Sequence, residues 1–147
     1  MILELIISEF DFWLKENIRI ARIKSEIDQV ELSHRLGVSE GYIGNIENLK
    51  NRAKPNTRMI SRIANALNLE TYSDLLPKQV LENDIVRVKL ELLKINTRKQ
   101  VVNDDGEVPE RFKLLSIEPL SSNEISRWNA LKKPYLIDSK LQKKIFI

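Results

Sequence analysis

The spacing of polar, small and apolar residues over positions 28–48 constrains the fold more than any other feature of the sequence. Asp28 and Glu31 have the spacing of a capping box, in which an Asp carboxylate accepts from the free N–H groups of a helix start. Gly37 is suited to end that helix because glycine adopts positive φ without strain. Ser39 is a good N-cap for a second helix. The pattern predicts two short helices joined by a tight turn.

The second helix is predicted over about residues 39–48, and it must cross the first at a steep angle. Ser33 is small enough to let the two backbones approach at their contact. Val38, Ile43 and Ile46 are spaced to point inward and lock the second helix onto the first. A helix held in this way leaves its other face projecting, and such a face can enter the major groove of DNA.

Helical periodicity predicts three further helices around this pair. One covers about residues 8–25, one follows a cap at Asn56 or Thr57, and a short one over about 71–76 ends at Pro77. The sequence therefore predicts a mainly α fold, with five helices in a domain over residues 8–77.

The character of the chain changes after Pro77, where apolar and charged residues alternate over positions 86–92. Alternation with a period of two predicts a strand, and a second strand is predicted over 112–117 beyond a turn-forming cluster at 103–106. Residues 78–147 are therefore expected to form a small extension with a β-hairpin and a short helix over 123–131. The apolar face of the hairpin either mediates dimerisation or folds back on the helices.

Residues 18–77 resemble the helix-turn-helix domain of the XRE family, the type of phage lambda repressor and Cro. The matching run is QVELSHRLGVSEGYIGNIEN at 29–48, and IANALNL at 63–69 fits the fourth helix of the family. Ser33 departs from the alanine that is usual at its position. The resemblance implies a five-helix, lambda repressor-like domain and a sequence-specific DNA-binding transcriptional regulator, by default a repressor. An antitoxin or a protein-interaction module built on the same domain is the alternative.

The resemblance also implies a role for individual residues. The base contacts it implies are Ser39, Glu40, Tyr42, Gly44 and Asn45. The implied phosphate contacts are Gln29, Asn48, Lys50, Arg52, Lys54 and Arg58. The residues with a structural role are Arg22, Ser33, Gly37, Val38, Ile43, Ile46 and Glu47, and in the family Arg22 would pair with Glu47.

Two features of this region are open to more than one interpretation. No acidic residue occurs between Asn48 and Leu69, so the cations there, Arg62 among them, favour a phosphate clamp over a merely solvated loop. Gly41 and Gly44 disfavour a helix by about 1 kcal/mol each relative to alanine. They either relieve crowding or let the backbone approach DNA closely.

The composition argues against other classes of function. The chain has no cysteine and one histidine, His34, so cysteine and histidine metal sites are not expected, and no catalytic constellation or cofactor motif is recognised. The net charge of +3 is modest. We expect no enzymatic activity, no cofactor, no small-molecule ligand, no membrane association and a cytoplasmic location. The expected partners are double-stranded DNA and a second copy of the chain.

Overall fold

The computed structural model describes residues 1–95, 101–131, 135–138 and 143–146, so parts of the predicted extension lie outside the described residues. The elements in chain order are β1 (Ile2–Ser8), α1 (Glu9–Lys24), α2 (Gln29–Leu36), α3 (Tyr42–Glu47), α4 (Thr57–Ala66), a 3-10 helix (Tyr72–Asp74), β2 (Ile85–Leu92), β3 (Phe112–Pro119), α5 (Ser122–Leu131), β4 (Tyr135–Asp138) and β5 (Lys143–Phe146). They form two compact units, a helical unit of residues 13–80 and 96–109 and a sheet unit of residues 1–12, 81–95 and 110–147.

The core of the helical unit is formed mainly by apolar side chains of α1 to α4, joined by Leu75 just after the 3-10 helix. Because α2, α3 and α4 each bury only a stripe, their opposite faces stay available to solvent or to a partner, whereas α1 exposes only Phe10 and Lys24. The fully or almost fully buried members of this core include Ile18, Leu32, Leu36, Ile43, Ile46, Ile63 and Leu75.

Local capping explains where α2 and α4 begin. The Asp28 carboxylate accepts from the N–H of Glu31 at 2.8 Å, and the Asn56 carboxamide oxygen accepts from the N–H of Met59 at 2.9 Å. Each side chain satisfies one of the N–H groups that the first turn of a helix leaves without a partner. Both caps agree with the sequence analysis.

Two predicted helices differ from those observed. The helix predicted over 39–48 is shorter, because the N–H of Tyr42 donates to the Ser39 carbonyl at 3.0 Å and makes the preceding residues a turn. Ser39 is therefore not the N-cap, a position taken by Gly41. The helix predicted over 71–76 is reduced to a single 3-10 turn, Tyr72–Asp74. Pro77 prevents the turn from extending into a longer helix, because proline disfavours the α conformation in the residue before it, Leu76.

The sheet is antiparallel and has the strand order β3-β2-β1-β4-β5. The two strands expected after Pro77 do pair, from Val86–Pro119 to Leu92–Phe112. The structure differs from the predicted hairpin in extent, because β1 pairs with the free edge of β2 and β4 pairs with β1. Leu3 and Leu5 stand opposite Leu90 and Val88 and are buried, so the first residues of the chain belong to this sheet.

Helix α5 packs on one face of the sheet and agrees with the helix expected over 123–131. Ile6, Ile85 and Leu120 are buried there, and Ile125 and Trp128 of the α5 helix pack against them. Within the described part of the chain, no helix has the length and apolar character needed to cross a bilayer.

Candidate nucleic-acid interface

The inner face of α3 is held in the core of the helical unit. Ile43 and Ile46 have 0% and 1% of their surface exposed, and the half-buried Val38 packs against the same cluster. The three residues that the sequence analysis chose as anchors therefore lie where they fix the position of α3.

Ser33 joins α2 to α3 through its hydroxyl group. Its side chain is buried, its Oγ donates to the Gln29 carbonyl at 2.9 Å, and the same Oγ accepts from the N–H of Ile43 at 3.2 Å. Ser33 thus meets the need for a small residue at the helix contact. It also provides an interhelical hydrogen bond that alanine, the usual residue in the family, cannot make.

The turn between the two helices depends on the backbone of Gly37. Its φ is 67°, in the left-handed region, and its N–H donates to the His34 carbonyl at 3.0 Å. The N–H of Val38 donates to the Ser33 carbonyl at 3.1 Å. The two bonds satisfy carbonyl groups at the end of α2, and the left-handed residue reverses the chain into the turn before α3.

The residues proposed to read bases lie on the turn before α3 and on α3 itself. Ser39, Glu40 and Asn45 are exposed, whereas Tyr42 and Gly44 are half-buried. Glu40 has a basic neighbour, because its Oε1 lies 3.4 Å from His34 Nε2. The exposed members of the set can reach a partner without any change in the fold.

Tyr42 combines a core contact with a polar end. Its ring packs against the hydrophobic core cluster. Burial raises the pKa of the Tyr42 phenol, and the charge of Arg62 partly opposes that shift. The phenol is therefore neutral at ordinary pH and can donate a hydrogen bond.

The proposed phosphate contacts lie mainly in the loop between α3 and α4. Asn48, Lys50, Arg52, Lys54 and Arg58 are all exposed. The loop is shaped by its own amides, since Asn48 Oδ1 accepts from the N–H of Lys50 at 2.9 Å and Asn51 Oδ1 accepts from the N–H of Ala53 at 2.9 Å. The carboxamide oxygen of Asn48 thus helps to fix the conformation of the loop. The cations of the loop extend from this ordered backbone.

Arg62 differs from the other cations of this region. It is half-buried, and its guanidinium donates to the Leu36 carbonyl at the end of α2 and contacts the sulfur of Met59 at 3.5 Å. A cation at the C-terminus of a helix is favourable because carbonyl groups there lack intrahelical partners. Arg62 therefore joins α4 to α2, unlike the other four cations that were predicted to form a phosphate clamp, which are exposed.

The predicted pair between Arg22 and Glu47 is present and buried. Arg22 Nε lies 2.6 Å from Glu47 Oε2 and its Nη2 lies 2.9 Å from Oε1, while its Nη1 donates to the Ile27 carbonyl at 2.8 Å. Only 3% of Arg22 and 2% of Glu47 are exposed. Gln29 Nε2 also donates to Glu47 Oε1, at 3.3 Å, so the end of α3 is tied to both α1 and α2.

Lys15 is a supporting residue that the sequence analysis did not identify. It is 1% exposed, and its Nζ donates to the carbonyl of Asn48 at 3.1 Å and to that of Asn51 at 2.5 Å. The ammonium group thus holds the chain where it leaves α3. A signal exists in the sequence, because Lys15 and Arg22 fall on the same helical stripe as the buried Phe12.

Comparison with known proteins agrees with this geometry. Residues 18–73 match a family model described as helix-turn-helix. Searches of curated proteins and of solved structures give no significant match. The matched range begins within α1, includes α2, α3 and α4, and ends within the 3-10 helix. Residues 18–73 are thus similar to the helix-turn-helix domain of the XRE family, a DNA-binding domain of regulatory proteins.

Proposed function

We propose that this protein is a sequence-specific transcriptional repressor that reads DNA with α3 and the turn before it. The observation that carries the proposal is the contrast between the two sides of α3. Ile43 and Ile46 are buried, whereas Asn45 is exposed between them. A rigid short helix with a polar outer side is suited to the major groove, which is wide enough to admit a helix.

Three side chains of this surface have distinct hydrogen-bonding or apolar chemistry. Asn45 can bond the N6 and N7 edge of an adenine in two places. Glu40 can accept from a cytosine N4, and Tyr42 can donate to a phosphate or contact a thymine methyl group. Gly44 brings no side chain to the surface. We therefore expect sequence preference to depend most on Asn45.

Phosphate binding is assigned to the cations after α3. Lys50, Arg52, Lys54 and Arg58 are exposed, and no acidic residue occurs from Asn48 to Leu69. Contacts of this kind set the orientation of a protein on the duplex and dominate the salt dependence of its affinity, but they do not read sequence. The cations after α3 are thus expected to provide affinity for any duplex, whereas α3 is expected to provide the preference for a sequence.

Repression and dimerisation are parts of the same proposal. A domain that occupies the major groove excludes other proteins from the same stretch of duplex. Two such domains related by a two-fold axis recognise half-sites about one helical turn apart, and this multiplies their specificity. We assign dimerisation to the segment after Pro77.

The test is to select bound fragments from a random DNA pool and then to compare two variants on the best site. Asn45→Ala should weaken that site by about 1–3 kcal/mol and relax the preference at one base pair. Arg52→Ala should weaken all sequences similarly and lower the salt slope by about one unit.

Asn65→Ala in α4 and Arg127→Ala in α5 are matched controls, since both residues are exposed and lie outside the proposed interface. Both controls should bind like the wild type. Unchanged binding by both test variants, or a selection that returns no enriched sequence, contradicts the proposed interface.

A further inference from the structure

We propose that β3 is the dimerisation strand and that it pairs antiparallel with β3 of a second copy of the chain. The inference rests on the proposed function in one respect, since it names the interface of the proposed dimer. It does not depend on which residues read DNA.

The first argument is the position of β3 in the sheet. In the strand order, β3 is terminal, and within the described residues its outer edge has no strand beside it. An uncovered edge offers backbone N–H and C=O groups to another strand. Leu114 and Leu115 of this strand are 39% and 42% exposed, so apolar surface accompanies the free edge. A second strand would satisfy the backbone groups and cover both leucines.

The second argument is that the sequence of β3 is complementary to itself when reversed. The strand reads FKLLSIEP over Phe112–Pro119. Antiparallel pairing about a two-fold axis between Leu115 and Ser116 places Lys113 opposite the partner's Glu118, and by symmetry Glu118 opposite the partner's Lys113. Both side chains are exposed. Opposite charges directly across an antiparallel pair are stabilising, and this register makes two such pairs.

The third argument concerns the face on which these charges stand. Side chains alternate along a strand, so residues five apart ordinarily lie on opposite faces and cannot pair across a two-fold axis. In β3 the register shifts, because Lys89 is opposite Ser116 whereas Leu90 is opposite Leu114, which leaves Leu115 as an extra residue. The shift brings Lys113 and Glu118 onto the same face.

The neighbouring strand extends the charge pattern. Within the chain, Lys113 stands opposite Glu91 and Glu118 stands opposite Arg87. In the proposed dimer the charges across four strands therefore alternate in sign, from Arg87 through Glu118 to the partner's Lys113 and the partner's Glu91. The extra residue Leu115 lies next to the two-fold axis. The residue pairs between the two β3 strands on either side of the axis therefore keep a regular register.

The experiment is a charge reversal measured by sedimentation equilibrium on the full chain. Lys113→Glu and Glu118→Lys each place like charges across both symmetric pairs, so each should weaken self-association by about tenfold or more. Mixed in equal amounts, the two variants should associate about as tightly as the wild type, because both charge pairs between the two chains of the mixed dimer are attractive. The variant with both reversals should also regain association.

Arg127→Glu is the matched control, since it changes the same charge at an exposed position of α5, and it should dimerise like the wild type. If a reversed variant fails to fold, Lys113→Gln and Glu118→Gln replace it and should each weaken association by about threefold. The mixing step excludes a general loss of stability, which mixing does not repair.

Three results overturn the proposal: a wild-type chain that stays monomeric both free and on its selected DNA, single variants that dimerise normally, or a mixture that fails to associate. DNA affinity measured on the same samples separates the two proposals. A dimer that responds to these charges but binds no DNA contradicts the proposed function and leaves the strand assignment supported.

Discussion

At the scale of single residues, the two glycines near the start of α3 have different surroundings. A Cβ added at Gly44 would lie 3.3 Å from Gln29 Oε1, whereas one added at Gly41 would have its nearest neighbour, Asn45 Nδ2, at 4.0 Å. Gln29 in turn donates to Glu47. Crowding therefore explains the glycine at 44, where the space is occupied by a side chain of the same domain. It does not explain the glycine at 41.

Replacing Gly44 by alanine tests this distinction. Alanine should add about 1 kcal/mol of helix propensity, but it pushes Gln29 away from Glu47 and so loses part of that gain. In a Gln29→Ala background the substitution should yield the full gain. Urea denaturation of the two single variants and the double variant measures the coupling, and an equal effect in both backgrounds contradicts the crowding explanation.

At the scale of elements, α3 is too short to be stable alone and depends on α1. Isolated helices of fewer than about 12 residues are marginal in water. Arg22 of α1 binds Glu47 at the end of α3, and Lys15 of α1 binds the carbonyl groups of the two asparagines beyond it. Helix α1 therefore supports α3, because its buried cations Lys15 and Arg22 bind groups at the C-terminal end of α3 and just beyond it.

The dependence of α3 on α1 makes Arg22→Ala an informative substitution. Removing one partner of a buried ion pair leaves the other charge uncompensated, so the variant should lose about 3–5 kcal/mol of unfolding free energy. Arg35→Ala is the matched control, because it breaks only exposed contacts, the pair with Glu31 and a 3.4 Å hydrogen bond to the Ala66 carbonyl, and should cost about 1 kcal/mol or less.

Replacing both partners separates charge from packing. Arg22→Met combined with Glu47→Leu should recover much of the lost stability, since apolar pairs of similar volume commonly substitute for buried ion pairs. Thermal and chemical unfolding measure all of these variants. Similar losses for Arg22→Ala and Arg35→Ala would contradict a buried, supporting role for the Arg22–Glu47 pair.

At the scale of the whole molecule, the first residues of the chain hold the sheet unit together. Strand β1 has β2 on one side and β4 on the other, and Leu5 stands opposite Val88 of one and Leu136 of the other. The boundary between the two units falls inside α1, between Phe12 and Trp13. Strand β2 of the sheet unit thus pairs with a strand that lies more than 70 positions earlier in the sequence.

Leu5→Ala probes this arrangement. Leu5 is 4% exposed, and truncating a buried leucine should cost the sheet unit about 2–5 kcal/mol. Amide hydrogen exchange should therefore accelerate at Val86 and Val88, with a smaller change at Leu32 and Ile43 in the helical unit. An equal acceleration at all four amides would mean that the two units unfold as one.

Local sequence signals suffice to predict the pair α2 and α3 and the turn between them. The Asp28 cap, the left-handed Gly37 and the apolar spacing of Ile43 and Ile46 all act within one or two helical turns, so each leaves a readable local signal. The same local signals revealed the resemblance to the XRE family, and that resemblance implied the Arg22–Glu47 pair.

The remaining features depend on contacts between residues that are far apart in the chain. The apolar run at the start of the sequence lacks the alternation that predicts a strand. The reason is that β1 has partners on both sides and buries residues of both its faces, so apolar residues follow one another. The partners of Lys15 are backbone carbonyl groups more than 30 positions away, and Arg62 turns inward to a carbonyl of α2. A backbone carbonyl has the same chemistry in every residue, and a distant sheet partner leaves no local pattern. Neither kind of contact can therefore be predicted from the sequence around it.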